Sequence, residues 1–380
     1  MKITKLMLSA AVAALALVSC NKQDTTPTTN RLKTVEIAID NAVITKGLAG
    51  DKISQGQAVQ VNDFQVFLTD ASGKIEFEAM VADGSAPAQK YWDAEDLKDG
   101  ALSAQFHYVD PNCTKVIAIA NLGKDITFDE FLALEALNVD AQQDQKNLVL
   151  YDEQTLQAAG TQHNDKNVNG TTYVADVYKA DLVLTPRVSR FEVDGFTVKF
   201  DSENPKYQEI KISQLAFQNY YPLTSATTGE ESGDLVNHIA DLTNQGEVYS
   251  WLDDPAKPEV WYRDYFDLTI TPASPTADTP EPLAYHMFSC NETPVLVIKL
   301  LADGQPAFLY SKGFFKMDGE NVVEVTEFEE GKIYRMSAAG EVLGDGSIPI
   351  DEEDIDPMDR CLEITVDVID WAVELVFPEF

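Results

Sequence analysis

Along most of the chain, apolar residues recur at every second position. In TVEIAID, Val35, Ile37 and Ile39 share one face and Thr34, Glu36, Ala38 and Asp40 the other, which predicts a strand with one buried face. FQVFLTDASGKIEFEA reads as two strands joined at Asp70–Gly73, and TPVLVIKLLADGQPAFLYSKG as two joined around Asp303–Gly304; both junctions carry turn residues. TKVIAIANLG is a short unbroken apolar run, the form of a strand covered on both faces. Helix is the minority. TFDEFLALEALNV opens with Thr127 and has Glu130 three residues on, a capping box, with Phe131, Leu132, Leu134 and Leu137 along one side. SGDLVNHIADL carries a weaker helical pattern.

The best internal boundary is ADLVLTPRVSRFEVDGFTVKF. Leu182–Leu184 close one strand, Pro186 interrupts, and Val188, Phe191 and Val193 begin another, so the chain crosses between domains there. The expectation is a mainly β protein of two largely antiparallel β-sandwich domains, residues 33–185 and 186–380, with a few short helices. SIPIDEEDIDPMDR is an acidic, Pro-punctuated connector, expected to be solvated, that leads into the last strand. No internal repeat and no long low-complexity tract is evident.

That last strand, CLEITVDVIDWAVELVFPEF, is unusual. Leu362, Ile364, Val366 and Val368 alternate on one face; then the parity slips, and Ile369, Trp371, Val373, Leu375 and Phe377 alternate on the other. A one-residue slip flips side chains across the sheet, so a bulge or a change of packing partner is expected near Asp370. Residues 362–377 would span about 50 Å at about 3.3 Å per residue, against an average strand of about 5 to 6 residues. Burying nine large apolar side chains is worth roughly 15 to 25 kcal/mol before ordering costs. Left exposed, they would form an aggregating edge. Two arrangements meet the constraint: the segment pairs within its own sheet, or part of it completes the sheet of a neighbouring molecule.

Charge narrows the field of partners. With 28 basic and 63 acidic residues the formal net charge is −35, a field that repels phosphate backbones, so nucleic acid is excluded as a partner. Residues 1–19 have the form of an export signal, with Lys2 and Lys5 before the apolar stretch Leu6–Val18, which is too short to span a membrane. The sequence LVSC resembles the bacterial lipoprotein box. It implies cleavage before Cys20, lipidation of the Cys20 thiol and attachment to the outer membrane through lipid, with residues 20–32 as a polar tether. Cys113, Cys290 and Cys361 then remain, enough for one bridge at most; spacing assigns none, and three buried small apolar side chains are the simpler reading.

Candidate chemistry is sparse, and no cofactor is expected. His107, His163, His238 and His286 are scattered, with no pair at metal-ligand spacing and no hydrolase, P-loop or zinc-protease motif. Carboxylate pairs abound in so acidic a chain and therefore specify nothing. Asp351, Glu352, Glu353, Asp354 and Asp356 offer oxygen ligands but lack the glycine turn and spacing of a calcium loop. Tyr220, Tyr221, Trp251, Trp261, Tyr262, Tyr265 and Phe266 gather in the second domain, either as strand packing or as a platform for sugars. A glycan-binding surface lipoprotein is thus the alternative to a structural protein. Neither reading is an enzyme, since no convergent acid, base and nucleophile can be named.

Taken in order, LVSC, TVEIAIDNAVITKG, KVIAIANLG with its short helix, LTPRVSRFEV, FEEGKIYRM and ITVDVIDWAVEL resemble the type V pilus fimbrillins, particularly the major-subunit branch, over nearly the whole chain. The resemblance implies two transthyretin-like sandwich domains, export as a lipoprotein, and cleavage by a trypsin-like protease in the loop after the first strand. It implies that loss of this strand opens a groove filled by a strand of another fimbrial subunit. By the same resemblance Val35, Ile37, Ile39 and Val43 belong to the removable strand, Lys46–Gly47 is the processing position, and Ile369, Trp371, Val373, Leu375 and Phe377 form the donor strand. The sequence departs from the family in one respect: Lys46 stands where Arg is usual, and Arg31 precedes the strand it would have to release.

Overall fold

The computed structural model describes residues 32–39, 59–98, 103–134, 137–142, 148–165, 173–225, 228–229, 231–237, 244–253, 263–289, 293–318, 321–337, 346–355, 361–370 and 373–375. It is mainly β. In the first half, β1 (Lys33–Ile39), β2 (Val59–Val61), β3 (Phe64–Thr69) and β4 (Tyr91–Trp92) lead to α1 (Ala94–Lys98). Next come β5 (Ser103–Val109), β6 (Lys115–Ala120), α2 (Phe128–Leu132), β7 (Leu137–Asn138) and a 3-10 turn at Val139–Gln142. Strands β8 (Leu150–Thr155), β9 (Gln157–Asp165), β10 (Tyr173–Leu182) and β11 (Thr185–Pro186) follow.

The second half opens with β12 (Val188–Lys199), β13 (Ile210–Gln218), β14 (Leu223–Thr224), β15 (Glu231–Ser232) and α3 (Gln245–Leu252). It continues through β16 (Arg263–Ile270), β17 (Thr276–Phe288), β18 (Val295–Ala302), β19 (Gln305–Asp318) and β20 (Asn321–Glu324). Last are β21 (Lys332–Ser337), β22 (Ser347–Asp351), a 3-10 turn at Glu352–Ile355, β23 (Cys361–Asp370) and β24 (Val373–Leu375).

The first half builds a four-stranded sheet, β5-β1-β10-β9, and a five-stranded one, β11-β8-β6-β3-β4. Both faces of β3 and most of β6 are buried, as the apolar run KVIAIA requires. Phe67 shows why: its ring meets Phe128 at 5.4 Å and Phe131 at 4.8 Å, so α2 covers one face. Phe64, Val66 and Leu68, of opposite parity, are left for the other face. The capping box forms as the sequence predicts, Thr127 accepting from the Glu130 N–H and Glu130 from the Thr127 N–H. The helix is only five residues long, however, and Leu132 is exposed rather than part of its packed side.

Although β14 and β15 join β7 and β24 joins β2, most of the second half is one long sheet, β16-β13-β18-β19-β23-β21-β12-β17, with β20 added to β19 and β22 to β12. Its two edges meet: the Tyr285 hydroxyl of β17 donates to Asp264 of β16 at 2.5 Å, and Phe266 packs edge-on to Phe196 at 5.7 Å. The sheet thus folds over itself around Phe191, whose ring contacts Phe217, Phe314, Phe328 and Tyr334. Such a two-layer closure hides the side chains that a flat sheet would leave wet.

The changeover between halves falls at Arg187. Thr185–Pro186 still pairs with β8, whereas Val188 onward joins the long sheet. Arg187 is buried with its guanidinium 3.8 Å over the Tyr151 ring and 2.9 Å from Glu330. Nearby, His286 Nδ1 donates to the Gln142 carbonyl at 2.6 Å, so its Nε2 accepts from Arg190 at 2.9 Å. Arg190 and Arg335 both pair with Glu192, and Arg335 also with Asp194. These buried charges are satisfied by one another, the condition for keeping them in an interior.

Several expectations are corrected. The segment after the Asp70–Gly73 turn does not continue as a strand; only Glu76 bridges back to Thr69. Ile75, which a paired strand would have to bury, is exposed there, and the Lys90 ammonium draws the chain aside by holding Glu76 and the Phe77 carbonyl. No helix starts at SGDLV, because Val236 exchanges backbone hydrogen bonds with Asn219 and Tyr220; residues 238–243 lie outside the described residues, and the helix is Gln245–Leu252. Pairing is largely antiparallel, as expected; the parallel exceptions are β1–β10, β2–β24, β12–β21, β12–β22 and β19–β23. KTVEIAI at 33–39 and RCLEITV at 360–366 share a basic residue followed by aliphatic residues at alternate positions, although Ala38 and Thr365 differ in kind. Both β1 and β23 lie between one parallel and one antiparallel neighbour.

The acidic connector is also not a solvated linker. Ser347–Asp351 pairs with β12, and Glu352 is fully buried. Its carboxylate accepts from the N–H groups of Asp201 at 2.5 Å, Lys206 at 2.8 Å and Tyr207 at 3.3 Å. Hydrogen bonds to a buried carboxylate are stronger than neutral ones and costly to leave unmade. Glu352→Ala is therefore expected to lower the unfolding free energy by about 3 kcal/mol and Glu352→Gln by less, read as the midpoint in urea; an unmoved midpoint in both would mean that the 201–207 turn is held by something else.

Candidate functional site

The strand that sequence singles out first is also the one built most deeply into its sheet. All seven residues of β1 pair in parallel with β10, from Lys33 opposite Asp176 to Ile39 opposite Leu182. On its other side β1 pairs antiparallel with β5, with a bulge between Lys33 and Val35. Tyr108, at φ 61°, lies in the bulged stretch of β5. Val35, Ile37 and Ile39 are 0, 3 and 7% exposed and belong to the common core. Val43, Lys46 and Gly47 lie outside the described residues, as does Cys20.

Polar groups fix the position of β1 along its neighbours. Lys33 is buried, its Nζ donating to the Cys113 carbonyl at 2.5 Å and lying 4.4 Å from the centre of the Tyr178 ring. Burial lowers the Lys33 pKa, while Cys113 and Asp110 act against that shift. On the opposite face Thr34 Oγ1 is 3.5 Å from His107 Nδ1. Glu36 pairs with Lys179 at 3.0 Å and accepts from Gln105 at 3.0 Å. Sliding β1 by one residue would bury Glu36 and expose Val35, so the register has no near competitor.

Removing β1 leaves a defined shape. Neighbouring strands lie about 4.8 Å apart, so β5 and β10 would face each other across a gap of about 10 Å, one strand wide. Both rims would carry unmet N–H and C=O groups, and the floor would lose three large aliphatic side chains. A gap of that kind accepts a strand better than it accepts water.

The final strands divide differently from their side-chain parity. The pairing of β23 with β21 runs in register through Ile369 opposite Ile333 and Asp370 opposite Lys332. Ile369 therefore belongs to the domain's own ladder, not to a separate donor piece. The change of partner comes next: Val373–Leu375 pairs in parallel with Val59–Val61, in the first half of the chain. The expected division exists, two residues later than the parity slip, because β21 still has backbone to offer up to Lys332. Trp371 and Phe377 lie outside the described residues.

Other candidate groups do not converge. Tyr220 is buried, Tyr265 is 64% exposed and Phe266 turns inward to Phe196; Trp261 and Tyr262 lie outside the described residues. As neighbours on one strand, Tyr265 and Phe266 point to opposite faces and cannot share a platform. Spacing in sequence missed one pair, His107 and His163, whose rings lie 5.2 Å apart; the β5 bulge that helps bring them together has no sequence signature. Among the described residues no group of three or more His, Cys, Asp or Glu could hold a metal ion. Cys113 and Cys361 are free thiols, Cys290 lying outside the described residues, and burial pushes the Cys113 thiol up to about 11.

No protein-family model matches the chain, and no curated protein does. Several solved structures are similar to it over about nine tenths of its length. One is a proposed cell adhesion protein from Parabacteroides distasonis, 15% identical, covering 91% of this chain and 98% of that one, with a TM-score of 0.48. A fimbrilin from Porphyromonas gingivalis is 13% identical over 91% of this chain and 99% of its own, also at 0.48. The tip fimbrial protein Mfa3 from Porphyromonas gingivalis is 10% identical over 89% and 99%, at 0.37.

Two measurements check the site as described. Ile37→Ala is expected to cost about 2 to 5 kcal/mol and Glu36→Ala under about 1 kcal/mol in chemical unfolding; equal small losses would mean that β1 is not packed. At pH 8 a thiol of pKa about 11 is ionised to about one part in a thousand. Iodoacetamide should therefore modify half-buried Cys361 well before Cys113, as read by peptide mass spectrometry.

Proposed function

We propose that the chain is a non-enzymatic subunit of a cell-surface fimbria, exported as a lipoprotein through Cys20 and assembled by strand exchange. One observation carries this reading. A strand whose inner face lies in the core is bonded on both sides, yet is joined to the rest of the fold only through residues 40–58. A cut after Lys46 by a trypsin-like protease would free it and leave a groove one strand wide. Such a groove is a sticky surface of fixed shape, and filling it from another subunit links two molecules.

The donor piece in this reading begins after Asp370. Residues 361–365 pair with β19 and residues 365–370 with β21, and withdrawing them would open the long sheet. Residues 373–375 bond only to the three-residue β2 among the described strands, a ladder small enough to give up. Trp371, Val373, Leu375 and Phe377 remain the inserted residues, and Ile369 does not.

Limited trypsin treatment should cut after Lys46 and turn monomers into polymers, as followed by mass spectrometry and size-exclusion chromatography. Deleting residues 371–380 should abolish polymerisation and leave a folded monomer. If the cut chain stays monomeric with its final residues intact, strand exchange is wrong. Global unfolding after the deletion would instead assign the segment to its own domain.

A further inference from the structure

Lys33 occupies an unusual place for a lysine, on the inner face of a central strand. It is in step with Val35, Ile37 and Ile39, so the face that β1 offers its groove reads basic, aliphatic, aliphatic, aliphatic at alternate positions. The receiving end is equally specific, with the Cys113 carbonyl as acceptor, the Tyr178 ring beneath the ammonium and the Asp110 carboxylate near enough to act on its charge. Carbonyl, aromatic face and carboxylate all favour a cation, and a strand lacking one would leave the carbonyl buried without that donor.

We infer that this end of the groove discriminates among the strands that can replace β1, favouring Lys or Arg two residues before the first of three alternating aliphatic residues, so that a strand of another subunit carrying this pattern fills the groove in preference to a copy of this chain's own final residues. The inference rests on the proposed release of β1. The chain has 28 basic residues, and few of them could supply this pattern. Only Lys33 and Arg360 are followed by aliphatic residues at the second, fourth and sixth positions after them: Val35, Ile37 and Ile39, and Leu362, Ile364 and Val366. The second set is already used, with Leu362, Ile364 and Val366 buried at 2% exposure or less between β19 and β21. Residues 367–380 contain no Lys or Arg. A copy of this chain's own final residues would enter the groove without the cation it is built to hold, whereas a partner subunit carrying the full pattern would satisfy every contact of β1. Lys33 is thus a specificity determinant, set at one end of a groove whose remainder accepts any alternating aliphatic strand.

Competition on the cut protein tests this. The chain cleaved after Lys46 is loaded with a fluorescent 32–46 peptide, and unlabelled peptides are titrated against it by fluorescence anisotropy. The native 32–46 peptide, its Lys33→Arg version and a 360–366 peptide should compete within a few fold of one another. Lys33→Met and a 369–380 peptide should compete about 10- to 100-fold less well, the size expected for a lost charged hydrogen bond in a buried site. Tyr178→Leu in the protein should narrow the gap between the native and Lys33→Met peptides. Equal competition by Lys33→Met, or by 369–380, overturns the selection rule while leaving strand release intact. If the labelled native peptide never exchanges onto the cut protein, the removable strand itself is wrong and the rule falls with it.

Discussion

Every backbone amide buried beside β1 has to find a partner, and β1 supplies those partners to two strands at once. An edge strand can fray residue by residue, whereas a strand bonded on both sides is present in full or leaves two rows of unmet groups. Its attachment is therefore close to all-or-none, and the inner aliphatic residues reinforce it. Under the proposed function, such a strand would give the protein a stable resting form and an adhesive one, with nothing well populated in between. What would separate the two is a covalent connection and not a weak contact, so the change would run in one direction only.

The two halves of the molecule share one apolar core, and polar groups that are individually satisfied also cross between them. Arg187 lies over Tyr151 and reaches Glu330, while His286 ties Gln142 to the chain of charges from Arg190 to Asp194. Buried ion pairs add little net stability when weighed against apolar replacements, yet they tolerate few alternative geometries. Their contribution is orientation. If the chain is a fimbrial subunit as proposed, a junction with a single geometry would suit it, and directional bonds add that to the shared apolar core.

Much of this was legible in the sequence. The alternation in TVEIAID gave the strand and its buried face, KVIAIA gave a strand covered on both sides, and Thr127 with Glu130 gave a helix start, because each rests on contacts set by local periodicity. The misreadings share a cause. Glu352 looks like one acid among many until the 201–207 turn brings three N–H groups to it, and His107 and His163 are 56 residues apart in sequence. The change of partner falls just after Asp370, near where it is expected, but parity places Ile369 on its far side because side-chain parity does not reveal how far β21 extends as a pairing partner. Lys33 was the least readable of all: in sequence it is a polar residue ahead of a strand, and only the position of Cys113 and Tyr178 turns it inward.

The agreement between KTVEIAI and RCLEITV has a consequence for how the chain reaches its fold. Two segments more than 300 residues apart share one alternation of aliphatic residues, and each has to find its own place, β1 between β10 and β5 and residues 361–365 beside β19. During synthesis the earlier segment appears long before its rival, and its own socket is complete once β10 has emerged, so order of emergence resolves the choice. A chain unfolded whole and allowed to refold has no such ordering. It meets both segments at once, and the misthreaded form, with the later segment in the earlier socket, is a trap that the vectorial route avoids.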